Sequence, residues 1–378
     1  MNKPVYLDYN ATTPIAAEVM DEMLPFLYNS FGNPSSSYSI GRKNKEAIIN
    51  ARQQVAHLLN ANPDEIIFTS GGTESNNHAI RGIANANQDK GKHIITSAIE
   101  HPAVTEVCNY LHSHGYEISY IPVDTNGVVY PEDVENAIRK DTTLISIMHA
   151  NNETGSIQPI EEIGEIAKKH NIAFHTDAAQ SVGKIETDVT KLGVDLLTIA
   201  GHKLYAPKGI GALYINRETT IENLMYGASQ EKGLRPGTEN VPYIVALGKA
   251  CEIAKRDFDK TVQIMKSTKE KLLNGLINKL GTRVQVNGQL SNTLPNTLSL
   301  AFERTDAHTL ASMISNEVLI STGSACHADS IEISSVLKAM KVNQLTAAST
   351  VRLSTGRHTT FREIEKAVDV ISNIVLKF

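Results

Sequence analysis

What is scarce in this chain narrows its reading before any motif is considered. Of 378 residues only 3 are cysteine, Cys108, Cys251 and Cys326. An odd, sparse set at long spacings argues against a disulfide framework and against a cysteine zinc site, and it fits a reducing cytoplasm. No apolar run reaches the ~18 residues of a membrane-spanning helix, so none is expected. The opening MNKPVYLDYN has no apolar stretch of the secretory kind. Basic residues are not in excess: 36 Lys and Arg stand against 41 Asp and Glu, a net charge of −5. With a pI near 6.2, neither nucleic acid nor an anionic membrane is expected as a partner. Internal repeats and low-complexity segments are absent. What remains is 41% hydrophobic and 20% charged, an ordinary globular composition, long enough for two domains.

The chain is organised around residues 173–208. The stretch reads A-F-H-T-D-A-A-Q-S-V-G-K, then an amphipathic interval, then L-L-T-I-A-G-H-K-L-Y-A-P-K-G. Ile172 to His175 and Leu196 to Ala200 are short apolar runs, as buried strands of a parallel sheet are. Ligands of α/β sheets sit at the carboxyl edge of such strands. Asp177 leaves the first strand and Lys203 the second. An acid and an amine on neighbouring strand ends can grip a flat heteroaromatic cofactor. The amine meets an aldehyde carbon and the acid a ring nitrogen, which is the pair pyridoxal phosphate requires. Taken alone, the two residues also read as an ordinary polar strand end.

In chain order, Val5 to Asn10 is strand-like and runs into Thr12, Thr13 and Pro14. Helical spacing follows over 15–27, then a loop rich in Gly, Ser and Pro, F-G-N-P-S-S-S-Y-S-I-G-R, at 31–42. Its continuation carries an amphipathic face at Ala47, Ile48, Ala51, Val55, Leu58 and Leu59. Ile66 to Ser70 reads as a buried strand, followed by Gly71-Gly72-Thr73-Glu74 and a helix. A strand, a glycine turn and a helix start make an anion site, because free N–H groups point outward there. A plain chain reversal is the alternative. No G-K-S or G-K-T closes the turn, so it is not a Walker loop. Further strands are expected at 93–98, 117–123, 143–149, 172–176, 196–200 and 211–215, mostly with helices between them. That alternation predicts an α/β fold with a mainly parallel seven-stranded sheet covered by helices. His101 follows one strand in A-I-E-H-P, and H-A-N-N-E-T-G at 149–155 closes another as a polar loop of the kind that builds sites.

A long helical pattern from Val245 to about Leu280 introduces a smaller α+β part, with strands expected at 283–287, 297–302, 318–322 and 350–354. The expected division is a large cofactor-binding domain at 15–245, and a small domain made of 1–14 and 246–378. The small domain carries S-T-G-S-A-C-H-A-D at 321–329. The small residues there predict a mobile, exposed loop around Cys326. The thiol is either a reactive nucleophile or an inert filler.

In this order the segments resemble the cysteine desulfurase and selenocysteine lyase family, among the class V aminotransferase, fold-type I pyridoxal phosphate enzymes. The likeness is carried by Y-L-D-Y-N-A-T-T-P, G-N-P-S-S, G-G-T-E-S-N, H-A-N-N-E-T-G, H-T-D-A-A-Q, G-H-K, S-A-C and V-R-L-S-T-G-R. It covers essentially the whole chain. The resemblance implies that Lys203 holds the cofactor covalently and then serves as base, while Asp177 keeps the pyridine nitrogen protonated. His101 stacks on the ring, and Gln180 and Asn152 face the ring oxygen. Thr73, with nearby backbone N–H groups of Gly72 and Glu74, and His202 take the phosphate. Thr238 reaches the phosphate from the second subunit of a homodimer. Arg352 clamps the substrate carboxylate, with Asn33 and Asn152 in the same pocket.

The activity so implied converts L-cysteine to L-alanine and leaves a persulfide on Cys326, the sulfur acceptor. A further protein, such as an iron–sulfur scaffold or a tRNA-modifying enzyme, then receives the sulfur. Three positions depart from the desulfurase pattern. Ala200 stands where many members carry a phosphate-bonding serine, a loss of about 1.5–3 kcal/mol for a hydrogen bond to a charged group. Thr198 lies two residues back on the same strand face. Tyr38 stands where many carry histidine, and Cys326 is followed by H-A-D. These features look similar to animal selenocysteine lyases, so L-selenocysteine is the alternative substrate. A transaminase or β-elimination enzyme of the same fold, and a non-catalytic scaffold, remain as further readings.

Overall fold

The computed structural model describes residues 3–327 and 330–378, with side chains throughout except at 324–332. The chain opens with β1 (Val5–Tyr6), α1 (Ala17–Tyr28) and α2 (Ser39–Leu59). Strands and helices then alternate through β2 (Ile66–Thr69), α3 (Gly72–Ala86), β3 (His93–Ser97), α4 (Pro102–His112), β4 (Glu117–Ile121) and α5 (Pro131–Asn136). The alternation continues with β5 (Thr142–Ser146), α6 (Ile160–His170), β6 (Ala173–Asp177), α7 (Val189–Leu192), β7 (Leu196–Ala200) and β8 (Gly211–Ile215). Next come α8 (Val241–Arg256), α9 (Phe258–Leu280), β9 (Val284–Val286), β10 (Thr297–Phe302) and α10 (Ala307–Ile314). The last part holds β11 (Val318–Leu319), β12 (Ser321–Thr322), β13 (Ser324–His327), β14 (Ser330–Ile333), α11 (Ser335–Ala339), α12 (Gln344–Ala348), β15 (Thr350–Ser354) and α13 (Phe361–Val375).

The central sheet has seven strands in the order β2-β8-β7-β6-β5-β3-β4. The pairings among β4, β3, β5, β6 and β7 are parallel, and β8 alone runs against both of its neighbours. The reversal has a simple cause. A parallel return needs a crossover of roughly a dozen residues or more, usually a helix, and the link between β7 and β8, residues 201–210, holds only the one tight turn Gly201–Lys203. Inner strands are buried on both faces; β7 and β8 are mostly apolar, whereas β3 and β5 bury polar residues such as His93 and Thr142, which hydrogen-bond each other. Successive residues feed opposite layers. Ile66, Ile95, Ile145 and Leu197 join α1, α2 and α8 on one face. Ile67, Ile94, Leu144 and Leu196 join α3 and α4 on the other.

A second sheet, β12-β15-β10-β9, is antiparallel. Leu298, Leu300 and Phe302 of β10 pack under α9 and α13, and Val5 and Leu7 of the N-terminal segment belong to that same core. The expected single helix from 245 to 280 is two helices that meet at Asp257, where φ is −104° and ψ is 18°. Apolar periodicity continues across this corner and hides it. The expected boundary at residue 245 falls inside α8, whose Ile244, Leu247 and Cys251 lie in the core shared with α1 and α2. The segment 318–322 divides, because β11 pairs with β1 while β12 pairs with β15. The segment expected as a loop around Cys326 pairs as a hairpin, with Cys326 opposite Ile331. The alternating Ser330 to Ile333 supplies its partner strand. Ala328 and Asp329 lie outside the described residues.

Gly248 sets a close approach of α8 to α2. A Cβ there would stand 2.6 Å from both Cα and Cβ of Ala51 on α2. Helix propensity favours alanine over glycine by about 1 kcal/mol, but overpacking against backbone costs about 1–3 kcal/mol. Gly248→Ala is therefore expected to lower the urea midpoint of unfolding at unchanged slope. A raised midpoint would mean that α2 and α8 can separate without loss.

Candidate active site

The carboxyl edge of β6 and β7 carries the first two functional groups. These strands pair in parallel, with Asp177 opposite Thr198. Beyond Ala200 the chain tightens into a single turn, Gly201–Lys203, which brings Lys203 back over the strand ends. Only glycine fits at 201, since a Cβ would meet the carbonyl oxygen of Ile210 at 2.8 Å. The Asp177 carboxylate is fixed from two sides. Its Oδ1 accepts from the Ala179 N–H at 2.9 Å and its Oδ2 from Nδ2 of Asn76 at 2.7 Å. Asn76 comes from α3, which starts immediately after β2. Gly71 before it has φ at 149°, a conformation that favours glycine. The first N–H groups of α3 are left free for an anion. A Cβ at Gly72 would touch that of Ala200 at 3.3 Å, so the helix start and the end of β7 are in close contact.

Lys203 Nζ donates to the carbonyl oxygens of Asn10 and Ala11, the latter at 2.7 Å. Burial and the nearby Arg352 guanidinium pull its pKa down to about 8, against the opposing pull of Asp8 and Asp177. His101 caps α4, its Nδ1 accepting from the Ala103 N–H at 3.1 Å. Burial depresses its pKa, Asp177 opposes this, and Lys203 adds to it. His202 is pushed down to about 4, first by burial and then by Lys203, Lys208 and His101. Both imidazoles are thus neutral in the physiological range. Arg352 reaches in from β15. Its Nη1 donates to the Asn152 carbonyl at 3.1 Å, and its Nη2 to Asp8 at 2.9 Å and to Ser321 Oγ at 3.0 Å. Its Nε is buried and has no partner.

These groups line two adjoining cavities. One, of about 430 Å³, is lined by Gly72, Thr73, His101, Asn152, Asp177, Gln180, His202, Lys203 and Arg352. The other, of about 940 Å³, shares His101, Asn152 and Arg352 and extends past Glu153 to Gly323 and Ser334 at the base of the β13–β14 hairpin. Most of the residues singled out in the sequence therefore meet at one place. Among the described side chains, three do not line it. Glu74 keeps its backbone at the start of α3, but its carboxylate is taken up by the Ser70 N–H and by Arg235. Asn33 sits in an exposed turn and bonds the Ser35 N–H. Thr238 is exposed on the segment between β8 and α8. The side chains of Cys326 and His327 lie outside the described ones, although the backbone of both belongs to β13.

Three groups were not anticipated: Asn10, Asn76 and Lys184. Asn76 was legible in principle, since it stands one helical turn beyond Gly72 and Thr73 on the same face. Asn10 and Lys184 carried no periodic signal. Thr198 does not stand in for the missing serine, because its hydroxyl bonds Nε2 of the buried His175 at 3.1 Å.

Chemically, the smaller cavity offers a carboxylate at one wall, a poised amine at another and a free helix start. The Oδ1 of Asn76 is buried there without a partner, as expected of a wall that awaits an occupant. The set fits a flat, nitrogen-containing aromatic ring that bears an aldehyde and a phosphate.

The class-V aminotransferase family model matches residues 5–367. A protein of Dictyoglomus turgidum named cysteine desulfurase IscS is 48% identical over 378 residues, covering 100% of this chain and 96% of the relative. Among solved structures, a NifS-like protein superposes with a TM-score of 0.93 at 38% identity, covering 100% of both chains. SspA in complex with cysteine superposes with a TM-score of 0.83 at 39% identity, over 94% of this chain and 99% of its own.

The depressed pKa of Lys203 has a direct readout. Only the free amine acylates, so the reaction of Lys203 with an amine reagent should rise with pH and be half-maximal near pH 8. An ordinary lysine titrates at about 10.4. Trace labelling of the ligand-free protein, read by peptide mass spectrometry, measures this, and a midpoint near that of surface lysines would contradict the burial argument.

Proposed function

The chain belongs to the class-V aminotransferase family, and on that premise we propose that its cavity binds pyridoxal phosphate and draws sulfur from L-cysteine. The protein is a cysteine desulfurase, with the fold-type I architecture of its NifS-like neighbours. The observation that carries the site assignment is the placement of Asp177 and Lys203 on adjacent strand ends, facing one cavity that Arg352 closes.

Bound pyridoxal phosphate would supply an electron sink for charge that develops at the substrate α-carbon. The chain supplies the rest. Asp177, oriented by Asn76 and the Ala179 N–H, would favour a protonated ring nitrogen. Neutral His101 lies against one wall of the cavity. The start of α3, Thr73 and His202, whose Nδ1 lies 3.2 Å from the Thr12 hydroxyl, would receive the phosphate. Lys203 would hold the aldehyde carbon, and when its amine is free its low pKa would let it take the α-proton. Arg352 offers the substrate carboxylate a two-pronged match that a lysine lacks. The Cys326 thiolate attacks the substrate sulfur. A sulfur–sulfur bond forms, the bond from sulfur to the β-carbon breaks with its electron pair left on carbon, and protonation releases L-alanine.

The names of the relatives, and the cysteine in the SspA complex, support L-cysteine over L-selenocysteine. The persulfide must be unloaded, which calls for a sulfur-acceptor protein. A homodimer would give the exposed Thr238 a place at the partner's phosphate. No helix of the described residues is long and apolar enough to cross a membrane, which accords with action in the cytoplasm.

The test is alanine release from L-cysteine and from L-selenocysteine by the loaded wild-type protein and by Cys326→Ala. The wild type should release alanine from cysteine, and the variant should not. Retained cysteine turnover in the variant would exclude the persulfide route and point to β-elimination or transamination. Alanine from selenocysteine alone would exclude the desulfurase. Arg352→Lys should raise KM for L-cysteine about tenfold or more through loss of a hydrogen bond to a charged group. An unchanged KM would remove Arg352 from the carboxylate site.

A further inference from the structure

One buried cation has no role in the chemistry above. Lys184 lies in the turns that follow β6, and it is 4% exposed. Its Nζ donates to Oε1 of Gln180 at 2.9 Å and to Oδ1 of Asn10 at 3.1 Å. Both partners are neutral amide oxygens. Burial pulls its pKa down to about 7, helped by Lys203 and Arg352, both of its own sign. A buried charge with no counter-ion is destabilising unless an opposite charge arrives to match it.

The geometry says what Lys184 does to its neighbours. The amide oxygen of Gln180 is engaged by the ammonium, so its nitrogen must face the other way. One N–H of that nitrogen goes to the Asn10 carbonyl at 3.0 Å. An amide nitrogen carries two N–H donors, and Gln180 lines the cavity, which leaves the second for an occupant. Lys203 bonds the same Asn10 carbonyl. The two lysines therefore hang from one residue, Lys184 from its side chain and Lys203 from its backbone. The other charges about them are Arg352 from β15, Asp8 from the N-terminal segment and Asp177 at the end of β6.

We propose that Lys184 is a positioning residue: its buried ammonium pins Gln180 as a donor into the cavity and makes the site selective for a ring that carries an anionic oxygen beside Lys203. The proposal rests on the pyridoxal phosphate reading, whose ring hydroxyl supplies that oxygen. It adds a reason for the lysine, for the orientation of Gln180 and for the double use of Asn10. Without the Lys184 amino group, Gln180 would become free to turn its amide over.

The experiment loads the wild type and Lys184→Met with pyridoxal phosphate and with its analogue lacking the ring hydroxyl. Dissociation constants are measured by fluorescence. The wild type should prefer pyridoxal phosphate to the analogue. In the variant the preference should fall about tenfold, with affinity for the analogue unchanged. An intact preference would overturn the proposal. If Lys184→Met does not fold, Lys184→Gln, which keeps a donor and loses the charge, is judged by the same readout. Loss of fold in both variants would make Lys184 a core residue and also overturn it. A wild type that takes up neither compound would instead refute the cofactor reading beneath.

Discussion

Asn10 is the joint on which this structure depends. Its N–H donates to Ser354 Oγ at 2.9 Å, and its Nδ2 to Thr297 Oγ1 at 2.8 Å and to the Asn152 carbonyl at 3.1 Å. Its Oδ1 accepts from Asn296 as well as from Lys184. Its carbonyl takes Gln180 and Lys203. The residue is 1% exposed, so water cannot replace a missing partner, and each buried group left unpaired would cost about 1–3 kcal/mol. Through this one residue the antiparallel sheet that carries Arg352 is tied to the parallel sheet that carries Asp177 and Lys203. The distance between the carboxylate clamp and the amine is thus set by hydrogen bonds made far from either group in sequence.

The electrostatic character of the site follows from the same crowding. Lys203, Lys184 and Arg352 converge on one region, and Asp8 and Asp177 face them. The histidines add no charge. His202 is held near 4, and His175 behind the sheet near 3, both chiefly by burial. A cavity that holds the Arg352 guanidinium beside neutral imidazoles suits anions. The free start of α3 adds to that preference. The carboxylates are there to aim the cations: Asp8 and Ser321 hold one edge of Arg352, and the Ser321 hydroxyl in turn donates to Asp8 at 2.9 Å.

Much of the fold was legible because the central strands are buried on both faces. Such strands favour apolar residues, and runs like Leu196 to Ala200 declare themselves. Polar residues then mark their ends, and that is why Asp177, Lys203 and His101 could be picked out as site residues. The corner at Asp257 was hidden, because apolar spacing on α8 and α9 continues through it. The pairing of Ser324 to His327 with Ser330 to Ile333 was hidden by the small residues around Cys326, whose composition is that of a loop. Glu74 looked like part of an anion site from its neighbours alone. Its partner Arg235 lies beyond β8, and no local pattern could announce that ion pair.

The sequence by itself determined the layered α/β architecture, the order of its elements and the chemical types at the strand ends, because strand and helix periodicities and glycine turns are local properties of a chain. It did not determine which polar groups would share a partner. That Lys184 is buried against Gln180 and Asn10, that Asn76 aims Asp177, and that Arg352 is held by Asp8 were decided only when distant segments packed. Burial removes water as a partner, so each of these groups must find another within the fold, and where that partner lies is a fact of three dimensions.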